Sequence, residues 1–529
     1  MSKKIETKIL MNTSTSVSFE IEDGGIYCTK KEYVILLNGE EKCTTNKVVN
    51  SLYNLVPDTE YVIAVAVKKD GDINIVSEIN FKTDFELLSI NVRELGAKGD
   101  GISDDTAFIQ AAIMACPEGG RVIIPEGKYL ITSIFLSSHL RLEIQKNAVL
   151  LADTSRENRV HFMGSIKTAD SENDEYHLGT WEGDPFPMFA GIISGINVKD
   201  VIIYGEGVVD GQASTENWWF EPKKMNVAYR PRMLFLNNCK KVKVQGIKLT
   251  NSPAWVIHPF FSKKLLFCDL NIENPGVSPN TDGLDPESCK DVDIVGIHFS
   301  LGDDCIAVKS GKYYMGTKYK KPSENIHIWQ CLMENGHGAV TMGSEIAGGI
   351  KNVLVEKCRF NKTDRGLRIK TRRGRGKYCV LNNIKFKNIK MDYVMNPFTA
   401  NMFYCCDPDG HDEYVQSRDF YPVDDRTPNL GSFEFSDIEA TNTQVSAAYF
   451  LGLPEAKIDT IVMENVKISF AEDTVMGTPV MCDTVSSMTK KGIVAENVKK
   501  LVLNNVTVSG CVGDEIEVNG VDSVERKGK

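Results

Sequence analysis

The chain has 529 residues, of which 42% are hydrophobic and 25% charged, and a formal net charge of −10. That is the make-up of a folded protein with room for one large elongated domain plus a small one. The acidic balance excludes a general affinity for nucleic acid, and no stretch reaches the roughly 18–20 continuous apolar residues of a membrane span.

The N-terminus carries charge but no apolar run of signal-peptide length, so a cytoplasmic protein without membrane or nucleic-acid partners is expected. The 14 cysteines include no Cys-x-x-Cys pair, and only Cys405 and Cys406 are adjacent. Neither a zinc module nor a dense disulfide framework is indicated. Cys239, Cys268, Cys289, Cys305, Cys331 and Cys358 end or follow short β-like runs and read as small buried apolar residues.

Residues 1–85 alternate short apolar runs (Val17-Ser-Phe-Glu-Ile, Tyr33-Val-Ile-Leu-Leu, Tyr61-Val-Ile-Ala-Val-Ala-Val) with Gly, Asn and Asp turns. The pattern predicts a small β-sandwich. Leu55-Val-Pro-Asp-Thr-Glu-Tyr61 resembles the corner of fibronectin type III domains, and Ser77-Glu-Ile-Asn-Phe-Lys-Thr83 resembles their last strand. A packed spacer is the preferred role, with a sugar-binding or oligomerising module as the alternative.

Residues 86–529 have another texture. Val92 to Thr106 reads as a strand, a glycine-rich turn and a helix start, with Asp105 or Ser103 placed to cap a helix from about Thr106 to Cys116. Gly96-Ala-Lys-Gly-Asp-Gly101 lacks the Gly-Lys-Ser/Thr ending of a phosphate-binding loop. This opening resembles the capped first coil of the pectin-lyase-like right-handed parallel β-helices. Short β runs then recur near Val201, Val242, Leu265, Val292, Ile326, Val353 and Ile384, and later near Ile461 and Leu501. One such unit cannot bury its own apolar face, so the copies must stack, and a parallel β-helix is expected.

Three segments interrupt the repeat, at about 153–190, 211–232 and 396–432, and are rich in Trp, Tyr, Phe, Asp and Pro. Such loops either shape a binding site or cap hydrophobic coils.

Stacked coils place residues of equal phase above one another. Asp303 follows Val292 by the same offset as His337 follows Ile326. Asp282 lies about one coil earlier, and Arg368 with Lys370 about one coil later. A stripe of Asp282, Asp303, Asp304, His337, Arg368 and Lys370 along one face is therefore expected. The adjacent Asp303 and Asp304 can share a face only if the chain bends at Gly302. Carboxylates beside a cationic pair suit glycoside hydrolysis of an anionic sugar. Asn280 and Lys309, which bound the acidic stretch, join Arg368 and Lys370 as substrate-binding candidates, and Asp285 is assigned a turn or supporting role.

Asn280-Thr-Asp-Gly283, Gly302-Asp-Asp304, Gly336-His-Gly338 and Arg368-Ile-Lys370 resemble the four signature motifs of the polygalacturonase family, glycoside hydrolase family 28. Asn251-Ser-Pro-Ala-Trp255 and Gly343-Ser-Glu-Ile-Ala-Gly-Gly349 resemble supporting segments. The resemblance implies an inverting hydrolase of polygalacturonate or oligogalacturonides that uses no metal or organic cofactor. It makes Asp303 the general acid, Asp282 and Asp304 the holders of the attacking water, and His337 a tuning or binding residue. Arg368 and Lys370 would bind the galacturonate carboxylate. The basic run Lys370–Lys377 is expected to extend the polyanion track, with a solvated turn as the alternative. Arg230 and Arg232, beside one insertion, are expected to help wall off one end of the groove. With the fibronectin-like module and the missing leader, this resembles bacterial exo-acting members. Endo-cleavage, a rhamnogalacturonan or xylogalacturonan hydrolase, a lyase and a non-catalytic acidic-polysaccharide binder are the rival readings.

Overall fold

The computed structural model describes residues 5–167 and 175–528. Residues 168–174 of the first predicted insertion lie outside the described residues. Among the described residues, no helix is long and apolar enough to cross a membrane.

Between Glu6 and Lys82 the strands are antiparallel and form a three-stranded and a four-stranded sheet. Alternation drives the layering: Phe19, Ile21, Tyr33, Ile35, Ile63 and Val65 point between the sheets into one core. This sandwich packs on the following domain through Met11, Val48 and Val49, which meet Ile202, Tyr204, Cys268 and Val295. Polar contacts fix the docking, with Trp329 Nε1 donating to Glu20 at 3.2 Å and the hydroxyls of Thr15 and Tyr204 2.8 Å apart.

From Ser89 onward the strands of the coils pair in parallel, each with the strand one coil away, and only short pairs in the first insertion, such as His161–Phe162 with Met188–Phe189, are antiparallel. The predicted repeat starts are in register. Val201, Val242, Leu265, Val292, Ile326, Val353, Ile384, Phe433, Ile461 and Leu501 pair in succession. All are essentially inaccessible to solvent. Burying each aliphatic side chain of such a ladder contributes roughly 1.5–3 kcal/mol, which no isolated coil can gain. The rung at Phe433 was not among the predicted copies. At one corner Asn325, Asn352 and Asn383 take left-handed φ angles of 58°, 55° and 57°. Their side-chain amides bond from coil to coil at 3.1 and 2.8 Å, which offsets the backbone cost.

Several expectations are corrected. The helix runs Thr106–Ala115, but the Asp105 carboxylate does not cap it. It accepts instead from the amides of Lys98 and Gly99 at 2.7 and 2.9 Å, pinning the glycine-rich turn. The third insertion opens with a regular strand, Asn396–Asn401. A further irregular segment, 471–490, was not predicted.

One face of the helix carries the functional stretch. It starts with Ile134–Phe135, Ile193–Ile196, Leu234–Asn237 and Ile257–Phe260, and resumes as a seven-stranded sheet beginning at Ile306–Val308. Between them the coil at 280–289 is joined only by isolated bridges, among them Ile257 to Leu284 and Leu284 to Ile306. Asp282 and Asp285 lie in this interrupted rung.

Candidate active site

The three acidic residues converge. Gly283 N–H donates to the Asp304 carbonyl at 3.0 Å, which stacks the Asp282 coil on the Asp303–Asp304 coil. One oxygen from each of Asp282, Asp303 and Asp304 lies within 4.8 Å of the others. Asp303 is half-buried, whereas Asp282 and Asp304 are buried. The chain does bend at Gly302, for a reason of space: a Cβ there would lie 2.7 Å from the Ser278 carbonyl oxygen. Asp303 Oδ1 then accepts the Asp304 amide at 2.9 Å, which steadies the bend.

His337 stacks on this coil, its N–H donating to the Asp303 carbonyl at 3.1 Å. Its flanking glycines are close-approach residues. A Cβ on Gly338 would lie 2.3 Å from Thr341 Oγ1 and 2.7 Å from Asp304 Oδ1. His337 Nδ1 is 2.8 Å from Asp364 Oδ2. That hydrogen bond raises the imidazole above its ordinary value, with help from the nearby Asp303 charge.

Arg368 and Lys370 point the same way, as their spacing requires. Arg368 Nη1 meets Asp304 Oδ1 at 2.9 Å, and Lys370 Nζ meets Asp304 Oδ2 at 2.9 Å. Burial alone would raise the Asp304 carboxyl, but Lys370 and Arg368 hold it well below the usual carboxylate range. Asp282 moves oppositely, pushed up by burial and by Asp303. The cluster therefore pairs a firmly ionised carboxylate with one that favours its proton.

Lys309, expected to contact substrate, is among the residues that line the cleft and is 2% exposed. Its ammonium lies 3.1 Å from Glu345, 3.6 Å from Asp282 and 3.7 Å from Asp285, so it positions the acids from beneath. Asp285 is fully buried beside it, not a turn residue. Asn280 stands at the cleft wall, its Oδ1 accepting from Arg230 Nη2 at 2.7 Å.

Arg230 and Arg232 are buried behind that wall. Arg232 lies against two indoles, 4.8 Å from the Trp181 ring and 4.5 Å from the Trp255 ring, and Lys309 sits 4.4 Å from the Trp255 ring. This cation–π stack ties the first insertion to the acidic floor. The basic run is likewise corrected. Arg372 and Arg375 pair with Asp407 at 3.0 and 2.5 Å, and the buried Arg373 pairs with Glu455 at 2.6 Å. These arginines brace loops and form no open track.

The resulting cleft has a volume of about 210 Å³. Asn280, Asp282, Asp303, His337, Arg368 and Lys370 all line it. So do Glu182 and Lys223 from the first two insertions, Tyr404 and Asp407 from the third, and Met481 from the unpredicted segment. Of the three carboxylates, Asp304 is paired with both Arg368 and Lys370, and Asp282 lies 3.6 Å from the Lys309 ammonium that it shares with Asp285 and Glu345.

The sequence profile of glycosyl hydrolases family 28 matches residues 146–491, and that of rhamnogalacturonase A/epimerase, pectate lyase-like, matches residues 89–177. A probable polygalacturonase of Vitis vinifera is 30% identical over 72% of this chain and 74% of its own length. An exopolygalacturonase of Zea mays is 26% identical over 72% of this chain and 84% of its own. In fold, the chain is similar to a family 28 exopolygalacturonase of Yersinia enterocolitica, with TM-score 0.69 and 19% identity over 98% of each chain. With the profile spanning more than half of its length and the four motif segments gathered in one cleft, the chain belongs to glycosyl hydrolases family 28.

Proposed function

We propose that the protein hydrolyses α-1,4-galacturonosidic bonds of polygalacturonate or oligogalacturonides, and that it does so from the non-reducing end. The observation that carries this reading is that Asp282 and Asp303 line one cleft with Arg368 and Lys370, while the buried Asp304 lies directly behind them, one oxygen of each of the three carboxylates within 4.8 Å of the others. Carboxylates supply acid and base, and the cations suit a sugar that bears its own carboxylate.

Asp303, the half-buried member, gives its proton to the leaving glycosidic oxygen. Asp304, kept ionised by Lys370 and Arg368, accepts the proton of the water that attacks the anomeric carbon, and Asp282 holds that water. Arg368 and Lys370 each keep further N–H donors for the galacturonate carboxylate, Asn280 contacts the neighbouring sugar, and His337 keeps Asp303 poised.

The nearest carboxylate oxygens lie within 4.8 Å, tighter than the roughly 6.5–9.5 Å usual between acid and base of inverting enzymes. Inversion therefore rests on the family resemblance alone, and proton NMR of the first-formed anomer tests it. The exo mode is supported by Glu182, Lys223, Tyr404 and Asp407, which insertions bring to the same cleft. A fibronectin type III identity for the N-terminal sandwich is supported by its three-plus-four strand arrangement and by Tyr61, whose hydroxyl accepts the Val56 amide at 2.9 Å in the manner of a tyrosine corner. A cytoplasmic location, where such an enzyme would finish imported oligogalacturonides, belongs to the same proposal and is tested by fractionation.

Chromatography of products from defined oligogalacturonides over time is the decisive experiment. One small product growing from the first minutes supports exo-cleavage. Mixed oligomers, with a viscosity collapse on polymer, refute it, and an unsaturated chromophore in the product refutes hydrolysis. Asp303→Asn is expected to lower kcat by roughly 10²–10⁴-fold with ligand binding retained; an unchanged rate removes Asp303 from its role.

A further inference from the structure

The run Cys405-Cys-Asp-Pro-Asp-Gly-His411 folds back on itself. Gly410 N–H donates to the Asp407 carbonyl at 2.9 Å, and a Cβ on Gly410 would lie 2.2 Å from the Cys405 carbonyl oxygen. Only glycine allows that approach, and it brings His411 beside Cys405. Asp483 arrives from the separate 471–490 segment. It is pinned there by its own amide, which donates to the buried Gln416 Oε1 at 3.0 Å, and by Cys405 N–H, which donates to the Met481 carbonyl at 3.2 Å.

From this geometry we propose that Cys405, His411 and Asp483 form a binding site for one borderline-soft divalent cation, zinc first, on the rim of the cleft. One donor atom from each of the three lies within 4.8 Å of the others. Donors bound to a single zinc at about 2.0–2.3 Å stand under about 4 Å apart, so a movement of rotamer size closes the set. Sulfur, imidazole nitrogen and carboxylate oxygen together select zinc or cobalt over magnesium or calcium, which prefer oxygen alone.

His411 Nδ1 already lies 2.8 Å from Asp483, and among the described residues this is the only ion pair Asp483 makes. Among the described residues, no Lys or Arg forms an ion pair with this carboxylate. His411 is exposed, which leaves an entry path and room for water as the fourth ligand. The site differs from the catalytic acids, where Asp304 is paired with Arg368 and Lys370 and Asp282 lies beside Lys309.

Binding would reach the cleft through the chain. Cys406, next to Cys405, and Met481, two residues before Asp483, both line it, and Met481 Sδ is 3.0 Å from Arg368 Nη2. A cation here would tie the two rim segments together opposite Arg368. Zinc and cobalt bind cysteine as thiolate, so coordination by the Cys405 thiol releases its proton to the buffer.

The test is titration of the metal-free full-length protein with Co²⁺, followed by absorption and by proton release in weak buffer. A thiolate-to-cobalt charge-transfer band that saturates at one equivalent, releases one proton and bleaches on adding Zn²⁺ is the expected result. Cys405→Ser should abolish the band and His411→Ala weaken affinity at least tenfold, while Cys406→Ser and Asp282→Asn keep both. Circular dichroism confirms that each variant is folded. No band, or a band that survives in Cys405→Ser, overturns the proposal. Because the readout is spectroscopic, it stands or falls separately from the reaction proposed for the cleft.

Discussion

His337 Nδ1 lies 2.8 Å from the carboxylate of Asp364, a residue on the next coil. That contact raises the proton affinity of the imidazole. Its stabilising contribution is fully present below the ordinary histidine value near 6.5 and is lost as pH rises through the raised one. Asp364→Asn removes the leading cause. The His337 titration followed by NMR is then expected to move to lower pH, and the basic limb of kcat/KM with it, while the acid limb holds. A basic limb that does not move would separate His337 from the protonation that governs turnover.

Asp364 shows both how far the sequence was legible and where it was misread. It follows Val353 by the offset that places Asp303 after Val292 and His337 after Ile326, so the phase argument already contained it. A single aspartate in Lys362-Thr-Asp-Arg365 has the look of a solvated turn, and the stripe expected from the motifs does not include it. The ladder from Val201 to Leu501 was legible because stacking demands the same apolar phase in every coil. The Phe433 rung was hidden behind an aromatic-rich insertion. No periodicity announces Arg232 against Trp181 and Trp255, because two insertions and a separate coil meet there. The arginines of the basic run were misread because their partners, Asp407 and Glu455, lie more than thirty residues away.

Arg368→Gln leaves Asp304 buried with Lys370 as its remaining cation. Breaking one partner of a buried pair costs roughly 3–5 kcal/mol. The Asp304 carboxyl is depressed in the folded protein, so its stabilisation is present above the ordinary value near 3.9 and fades as pH falls through the lower one. The variant should therefore show a lower urea midpoint at pH 7 and should unfold in acid at higher pH than the parent. An unchanged acid-unfolding midpoint would mean that Lys370 alone suffices.

Gly338→Ala tests close approach in place of charge. The added Cβ would meet Thr341 Oγ1 at 2.3 Å and Asp304 Oδ1 at 2.7 Å, so the coil must lift or the carboxylate must turn. Such overpacking typically costs about 1–3 kcal/mol. The expectation is a moderate loss of stability with a disproportionate fall in kcat, because the displaced group is a reacting one. Gly374→Ala is the control, since the nearest atom to its added Cβ is 3.4 Å away, at the end of the Arg372 side chain, although its φ of 92° carries its own backbone strain. Loss of kcat in the control as well would point to general loosening.

Lys309→Met probes the floor beneath the acids. Lys309 is the cation shared by Glu345, Asp282 and Asp285, and it holds Glu345 down to about 2 although burial alone would raise it. Without the ammonium these carboxyls must take up protons or remain charged in the interior, a loss of roughly 3–5 kcal/mol. The sign is fixed by Glu345: its stabilisation is present above the ordinary value near 4.3 and is lost as pH falls to about 2, so the parent should tolerate acid better than the variant. Trp255 supplies a local reporter, because Lys309 lies 4.4 Å from its ring. Urea unfolding of Lys309→Met, Glu345→Gln and the double variant forms a cycle whose coupling measures the pair directly. A stabilising coupling, with the double variant costing less than the two single losses combined, is expected. Additive losses would show that Lys309 acts through Asp282 and Asp285 alone.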